Sequence, residues 1–176
     1  MKVITFYADP PNSTYYTDHA QKWVDSVKSY ALDYHIEELS GGNYWENTRR
    51  KPQFILNCLN KFQDAVLWID VDTTFQSYEP YKSSPFVALR QGKTGTALYS
   101  SCLHFEYCDE SIKFVKLWND LCVKNIIDLK SPQGDHHYLY KAIAQSNIEV
   151  KWFPRDFWSI LETPFSPFGG STHKLP

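Results

Sequence analysis

Val66-Leu67-Trp68-Ile69-Asp70-Val71-Asp72 is the stretch on which the reading of this chain turns. Together with Ala65 it opens as an unbroken apolar run, then stops at two carboxylates separated by one residue. A short run without alternation suits a strand buried on both faces, in a sheet covered by helices on either side. Ligands of such sheets gather outside the carboxyl ends of the strands. The strand therefore delivers Asp70 and Asp72 to the edge where a site belongs. Two carboxylates beside an apolar strand repel each other and resist desolvation. A hard divalent cation, Mn2+ or Mg2+, relieves both problems, because it takes oxygen ligands, commonly carboxylates together with phosphate oxygens. The plainer alternative is that these aspartates only shape a turn or cap a helix.

Outward from this strand the chain alternates between strand and helix signals. Lys2 to Ala8 reads as a first strand, closed by Asp9-Pro10-Pro11-Asn12. Thr17 suits a helix N-cap, and Ala20, Trp23, Val24, Val27 and Ala31 follow at helical spacing. Tyr34 to Leu39 reads as a second strand, ended by Ser40-Gly41-Gly42. Pro52 then opens a helix to Phe62, with Phe54, Ile55, Cys58, Leu59 and Phe62 on its inner face. Downstream, Phe86 to Arg90 and Ala97 to Tyr107 read as strands, the second bent or broken. Asp109 suits the cap of a long helix that buries Phe114, Leu117, Trp118, Leu121 and Cys122. After the turn Ser131-Pro132-Gln133-Gly134, Asp135 opens a helix with Leu139, Ala142 and Ile143 inside, and Ile148 to Phe153 is a last strand. The pattern predicts an α/β fold with a mostly parallel central sheet flanked by helices.

Composition narrows the function classes. A length of 176 residues without a dividing linker fits a single domain over 1–176, with residues 154–176 as a tail. A formal net charge of −2 argues against a dedicated nucleic-acid wrapper, which needs a basic excess. No run approaches the roughly 20 apolar residues that cross a bilayer. The start turns polar by Asp9, so no secretory signal is read there. Four cysteines without a CxxC pair are read as thiols in a reducing cytoplasm, ahead of a disulfide or zinc site. Aromatic residues make up 16% of the chain, more than a core needs, so some of them are expected to line a binding surface.

Lys51-Pro52-Gln53-Phe54-Ile55, the strand Val66 to Asp72, and Gly134-Asp135-His136-His137-Tyr138-Leu139 occur in this order. In that arrangement the chain resembles the nucleotide-sugar glycosyltransferases of the GT-A (Rossmann-like) fold. The resemblance runs from Val3 to about His173. It implies that the D-x-D, here Asp70 and Asp72, holds Mn2+ or Mg2+ on the diphosphate of a nucleoside-diphosphate-sugar donor, a UDP-sugar first among them. It implies a C-terminal histidine, here His173, as a further metal ligand. It places Tyr7 and Ala8, at the end of the first strand, beside the nucleotide base, Tyr7 either stacking on it or belonging to the core, and an aspartate-containing helix start at Asp135. One departure is that His136 stands where the family more often has Gln. The chain is also short for this fold. The acceptor half is therefore expected to be shallow or completed by a partner, a homo-oligomer being one form of that.

Within this resemblance each residue has a chemical role to fill. Asp72 is the first choice for a direct metal ligand, with Asp70 on the ribose or sharing the metal. An acceptor hydroxyl needs a base, and Asp135 is the candidate, although aspartate there also makes an ordinary N-cap. Lys51, beside Arg49 and Arg50, is expected to reach the diphosphate, unless the cluster is only a solvated face. Lys174 would pair with the diphosphate, and the Gly169-Gly170-Ser171 segment would let the tail close over the donor. Phe157, Trp158, Phe165 and Phe168 make that tail too apolar for a purely solvated one. His136 and His137 diverge by about 100° on a helix and are not expected to share a metal. The acceptor class stays open among saccharide, lipid-linked glycan, protein and hydroxylated DNA base.

Two rivals remain at this level. Asp70-Val71-Asp72-Thr73-Thr74 also matches the first motif of the haloacid-dehalogenase phosphohydrolases, in which the first aspartate is a nucleophile. That motif usually lies near the N-terminus, and the family's late Gly-Asp motif wants a second acid that the chain lacks after Gly134-Asp135. The other rival is a sugar- or nucleotide-binding module without turnover.

Overall fold

The computed structural model describes residues 1–9, 12–78, 81–90, 98–124, 133–154 and 161–162. Along them run β1 (Lys2–Tyr7), α1 (Tyr15–Ser29), β2 (Tyr34–Glu38), α2 (Tyr44–Arg49), α3 (Lys51–Phe62), β3 (Val66–Ile69) and β4 (Thr74–Phe75). They continue as β5 (Phe86–Arg90), β6 (Leu98–Phe105), α4 (Asp109–Lys124), α5 (Asp135–Gln145), β7 (Lys151–Trp152) and β8 (Leu161–Glu162). Six strands form one sheet in the order β2-β1-β3-β6-β5-β7, and β4 and β8 form a separate ribbon. The β2, β1 and β3 strands are mutually parallel, β6 is antiparallel to both β3 and β5, and β7 is parallel to β5. Five of the six strands thus run one way and only β6 is reversed, so the mostly parallel α/β sheet expected from the pattern is the one found.

The unbroken apolar run is explained by the two cores. In β3, Val66 and Trp68 face one core and Leu67 and Ile69 the other, because side chains alternate along a strand. In β1, Ile4 and Phe6 share the first core and Val3 the second. Buried residues of α3, α4 and α5, among them Leu59, Trp118 and Leu139, cover the first face. Trp23 and Val27 of α1 cover the second. Both Trp23 and Trp118 are fully buried, as their positions on the helical stripes predicted.

Several boundaries depart from the sequence reading, each for a local reason. The first helix starts at Tyr15, not after Thr17, and its cap is supplied from outside. Asp9 accepts from the backbone N–H of Tyr16 at 2.7 Å and of Thr17 at 3.1 Å, so the loop ending β1 caps the next element. The helix stops at Ser29, and Ala31, expected on its stripe, takes a left-handed φ of 53°. Asp109 is the first residue inside α4, not a cap before it. The final strand of the sheet shrinks to Lys151–Trp152. The expected irregularity in β6 is real: its register against β5 shifts between Ala88↔Leu103 and Leu89↔Tyr99. That leaves Ser100, Ser101 and Cys102 unpaired with β5. Among the described residues no helix is long and apolar enough to cross a membrane. All four cysteines are free thiols.

Candidate active site

A cleft opens at the carboxyl ends of β1 and β3, where an α/β sheet offers its ligand site. It holds about 760 Å3 of empty space, its open mouth included. Phe6, Tyr7 and Ala8 of the β1 end form one wall, and Trp68, Asp70, Val71 and Asp72 of the β3 end another. Tyr16 comes from α1, Tyr44, Asn47 and Thr48 from α2, and Lys51 from α3. After Ile69 the chain turns sharply, the Thr73 N–H donating to the Asp70 carbonyl at 2.9 Å. The reversed β6 runs past the end of β3, and the Asp70 N–H donates to the Ser101 carbonyl at 2.9 Å.

Asp70 is held from two sides. Trp68, two residues earlier and hence on the same face of the strand, donates its indole N–H to Oδ1 at 2.7 Å. Lys51 Nζ lies 3.0 Å from the same oxygen. The Lys51 ammonium is also 3.0 Å from Asp135 Oδ2, off the line of a hydrogen bond but within ion-pair range. It donates to the Ser100 carbonyl at 3.2 Å and lies 5.1 Å from the centre of the Trp68 ring. Burial alone would lower the pKa of Lys51, but the carboxylates of Asp135 and Asp70 override it and raise the pKa above the ordinary lysine range. Lys51 is therefore a charged, buried bridge between the two acidic elements of the cleft.

Asp72 is in the opposite condition. Its residue is buried, and among the described residues no cation is in ion-pair contact with it. Burial, and then the neighbouring charge of Asp70, push its carboxyl up to about 7. Burial first and the Asp72 carboxylate next raise the Tyr15 and Tyr16 phenols as well, and Tyr16, which lines the cleft, is there a neutral hydrogen-bond donor.

Asp135 is the first residue of α5, and Gly134 occupies the cap position, so the capping alternative for this aspartate is set aside. Its side chain is turned inward to Lys51, and its backbone carbonyl accepts from the Trp118 indole at 3.0 Å. His136 and His137 diverge as expected. His136 Nδ1 lies 3.4 Å from Ser100 Oγ with its ring edge-on to Tyr140, whereas His137 is exposed. The Tyr7 ring lines the cleft while its hydroxyl donates to Glu38 at 3.2 Å. The basic cluster is not a solvated face: Arg49 donates to the Gln133 carbonyl at 2.9 Å and Arg50 to the Ser40 carbonyl at 2.6 Å.

In sequence, no family model matches the chain and no curated protein matches it. In structure it is similar to a glycosyltransferase involved in the glycosylation of the major capsid of PBCV-1. The TM-score is 0.62 at 13% identity, over 86% of this chain and 81% of that one. The fold is GT-A-like.

Tyr7, Ala8, Lys51, Asp70, Asp72 and Asp135, singled out from sequence, are brought together around one cleft or joined to it through Lys51. His173 and Lys174 lie outside the described residues, as do Phe157, Trp158, Phe165, Phe168 and the Gly169-Gly170 segment. One piece of the tail is described: Leu161–Glu162 pairs with β4, Thr74 opposite Glu162, only two residues beyond Asp72. Among the described residues no three His, Cys, Asp or Glu side chains gather into a metal-binding group. The α2 contributors Tyr44, Asn47 and Thr48 escaped sequence reasoning, because α2 itself was not expected. Its signal was present as a capping box, Asn43 and Glu46 each accepting from the other's backbone N–H at 3.0 Å. Trp68 as a partner of Asp70 was legible from strand alternation and was overlooked.

Proposed function

We propose that this chain is a metal-dependent glycosyltransferase that moves a sugar from a nucleoside-diphosphate-sugar donor, a UDP-sugar first among them, to an acceptor hydroxyl. The observation that carries the reading is the asymmetry of the carboxylate pair at the β3 end. Asp70 already has a cation and an indole N–H, while Asp72, buried beside it, has no contacting cation. An all-oxygen donor set with uncompensated charge fits Mn2+ or Mg2+. Asp72 would hold the metal directly, and Asp70 would share it through its second oxygen or take the ribose. His173 as a further ligand and Lys174 as a diphosphate contact belong to this reading from the sequence. The return of the tail to β4 supports a C-terminal contribution. When bound, the metal supplies Lewis-acid stabilisation of the charge that develops on the leaving diphosphate.

The chain's own residues do the rest. Tyr7 and Ala8 wall the base end of the cleft, and the neutral phenols of Tyr16 and Tyr44 offer donors toward an anionic ligand. Asp135 takes the proton of the acceptor hydroxyl as its oxygen attacks the sugar carbon and the bond to the diphosphate breaks. Lys51 orients that carboxylate. The test is calorimetry with a panel of nucleotide sugars, with and without Mn2+, on the parent chain and on Asp72→Ala. The parent is expected to bind one donor in a metal-dependent way and to hydrolyse it slowly. Asp72→Ala is expected to lose the metal-dependent part while keeping its circular dichroism spectrum. Donor affinity unaffected by metal or by the substitution overturns the reading, and so does robust metal-dependent hydrolysis of a generic aryl phosphate.

A further inference from the structure

We propose that Arg49 is a positioning residue for Asp135: it fixes the start of α5, and through it the place of the carboxylate beside Lys51 and Asp70. The catalytic half of this proposal rests on the function proposed above, and the structural half does not.

Arg49 is only 6% exposed, and a guanidinium is costly to remove from water unless it is pinned by a directed contact. Its Nε donates to the Gln133 carbonyl at 2.9 Å, and its guanidinium lies 5.6 Å from the centre of the Tyr138 ring. Gln133 immediately precedes Gly134, the cap of α5, and Asp135, its first residue. Tyr138 sits one turn into the same helix. Arg49 thus grips α5 at both ends of its first turn.

The same short piece of backbone also carries Lys51. Arg50 closes α2 and opens α3 with helical φ and ψ of −73° and −18°, so Arg49 and Lys51 project from a nearly continuous helical segment. One of them holds the Gln133 carbonyl and the other faces the Asp135 carboxylate at 3.0 Å. Lys51 alone restrains only the tip of an aspartate side chain. Arg49 restrains the backbone from which that side chain departs. The two contacts together fix direction as well as distance. Packing adds to them: Trp45 and Thr48 of α2 stand beside Gly134, where a Cβ would meet each in ordinary van der Waals contact at 3.6 Å. Because Tyr44, Asn47 and Thr48 of this helix also line the cleft, α2 links the donor side of the site to Asp135. A misplacement of about 1 Å in a reacting group can cost on the order of 100-fold in rate, so a grip on the α5 start has a kinetic consequence that simple packing does not.

The experiment compares the parent chain with Arg49→Met, which keeps the stem and loses the donor, and Arg49→Lys, which keeps the charge and loses the Nε geometry. Two readouts are taken on the full chain: hydrogen exchange at the amides of His137, Tyr138 and Leu139, and the split between donor Kd and kcat for donor hydrolysis in Mn2+. Arg49→Met is expected to speed exchange in the first turn of α5 by roughly tenfold with α4 amides unaffected. It should lower kcat by roughly tenfold while leaving donor Kd within about twofold, a split that a loss of positioning gives and a general loss of folded protein does not. Arg49→Lys should fall between. Unchanged exchange in both variants overturns the proposal, as does a parallel loss of affinity and turnover, or faster exchange with full kcat. If the parent binds no nucleotide sugar at all, the function reading fails, and the exchange readout alone decides whether Arg49 positions the start of α5.

Discussion

Asp72 shows how one residue can be placed against its own chemistry. Its neighbours offer burial and a second negative charge, and its carboxyl rises from 3.8 to about 7 in consequence. The sign of the effect on stability follows from which state keeps the proton. Between about pH 4 and pH 7 the folded chain holds a proton that the unfolded chain has released, so stability present at low pH is lost as pH rises through that window. In chelator, the parent is expected to lose stability to urea between about pH 4 and pH 7. Asp72→Asn should remove most of that loss and be the more stable protein at pH 8 by on the order of 2 kcal/mol. Equal pH dependence in both proteins would contradict the burial of an uncompensated carboxyl. The pair of aspartates was legible in the sequence because an apolar strand ended on them. Their division of labour was not, because it depends on Lys51 and Trp68 both reaching Asp70 and leaving Asp72 without a contacting cation.

At the scale of elements, strands and long helices followed their periodicity, and the errors fell at ends and in short pieces. The start of α1 is an instance. Thr17 looked like a cap, yet it lies inside the helix and gives its N–H and hydroxyl to Asp9. A side chain eight residues upstream does the capping because Asp9, just past the end of β1, lies beside the helix N-terminus. Asp9→Ala is expected to lower stability by about 1 kcal/mol, as losing a cap does, read as a shift of the urea midpoint with the slope unchanged. No change there would mean that Thr14 or water takes over the freed N–H groups. The short α2 was missed for a related reason. Its six residues carry no apolar period to read, and what holds it is the Asn43–Glu46 box and the burial of Arg49 against the start of α5. The basic cluster Arg49-Arg50-Lys51 also reads as a solvated face, but Arg49 and Arg50 donate to the loop carbonyls of Gln133 and Ser40, and Lys51 donates to the Ser100 carbonyl of β6.

Across the whole molecule, the central strands serve two cores at once. Leu67 and Trp68 are adjacent in the chain and belong to opposite faces, as do Val3 and Ile4. A sheet shared in this way couples the two faces, since neither layer of helices can leave without exposing β1 and β3. Leu67→Ala on one face and Leu59→Ala on the other are each expected to cost about 2–5 kcal/mol. Each should lower a single unfolding transition seen at one midpoint by near- and far-UV circular dichroism. Two separated transitions would show that the faces unfold independently. The amino-acid sequence determined the class of fold and pointed to the sheet edge of the candidate site, because apolar periodicity and a strand that ends in carboxylates are local properties. Tertiary structure decided which partners those carboxylates meet. The bridge from Asp70 through Lys51 to Asp135 joins residues 65 positions apart in the chain. Only the parallel pairing of β1 with β3, the reversal of β6 and the packing of α2 and α3 against the start of α5 bring them within 3.0 Å of one ammonium.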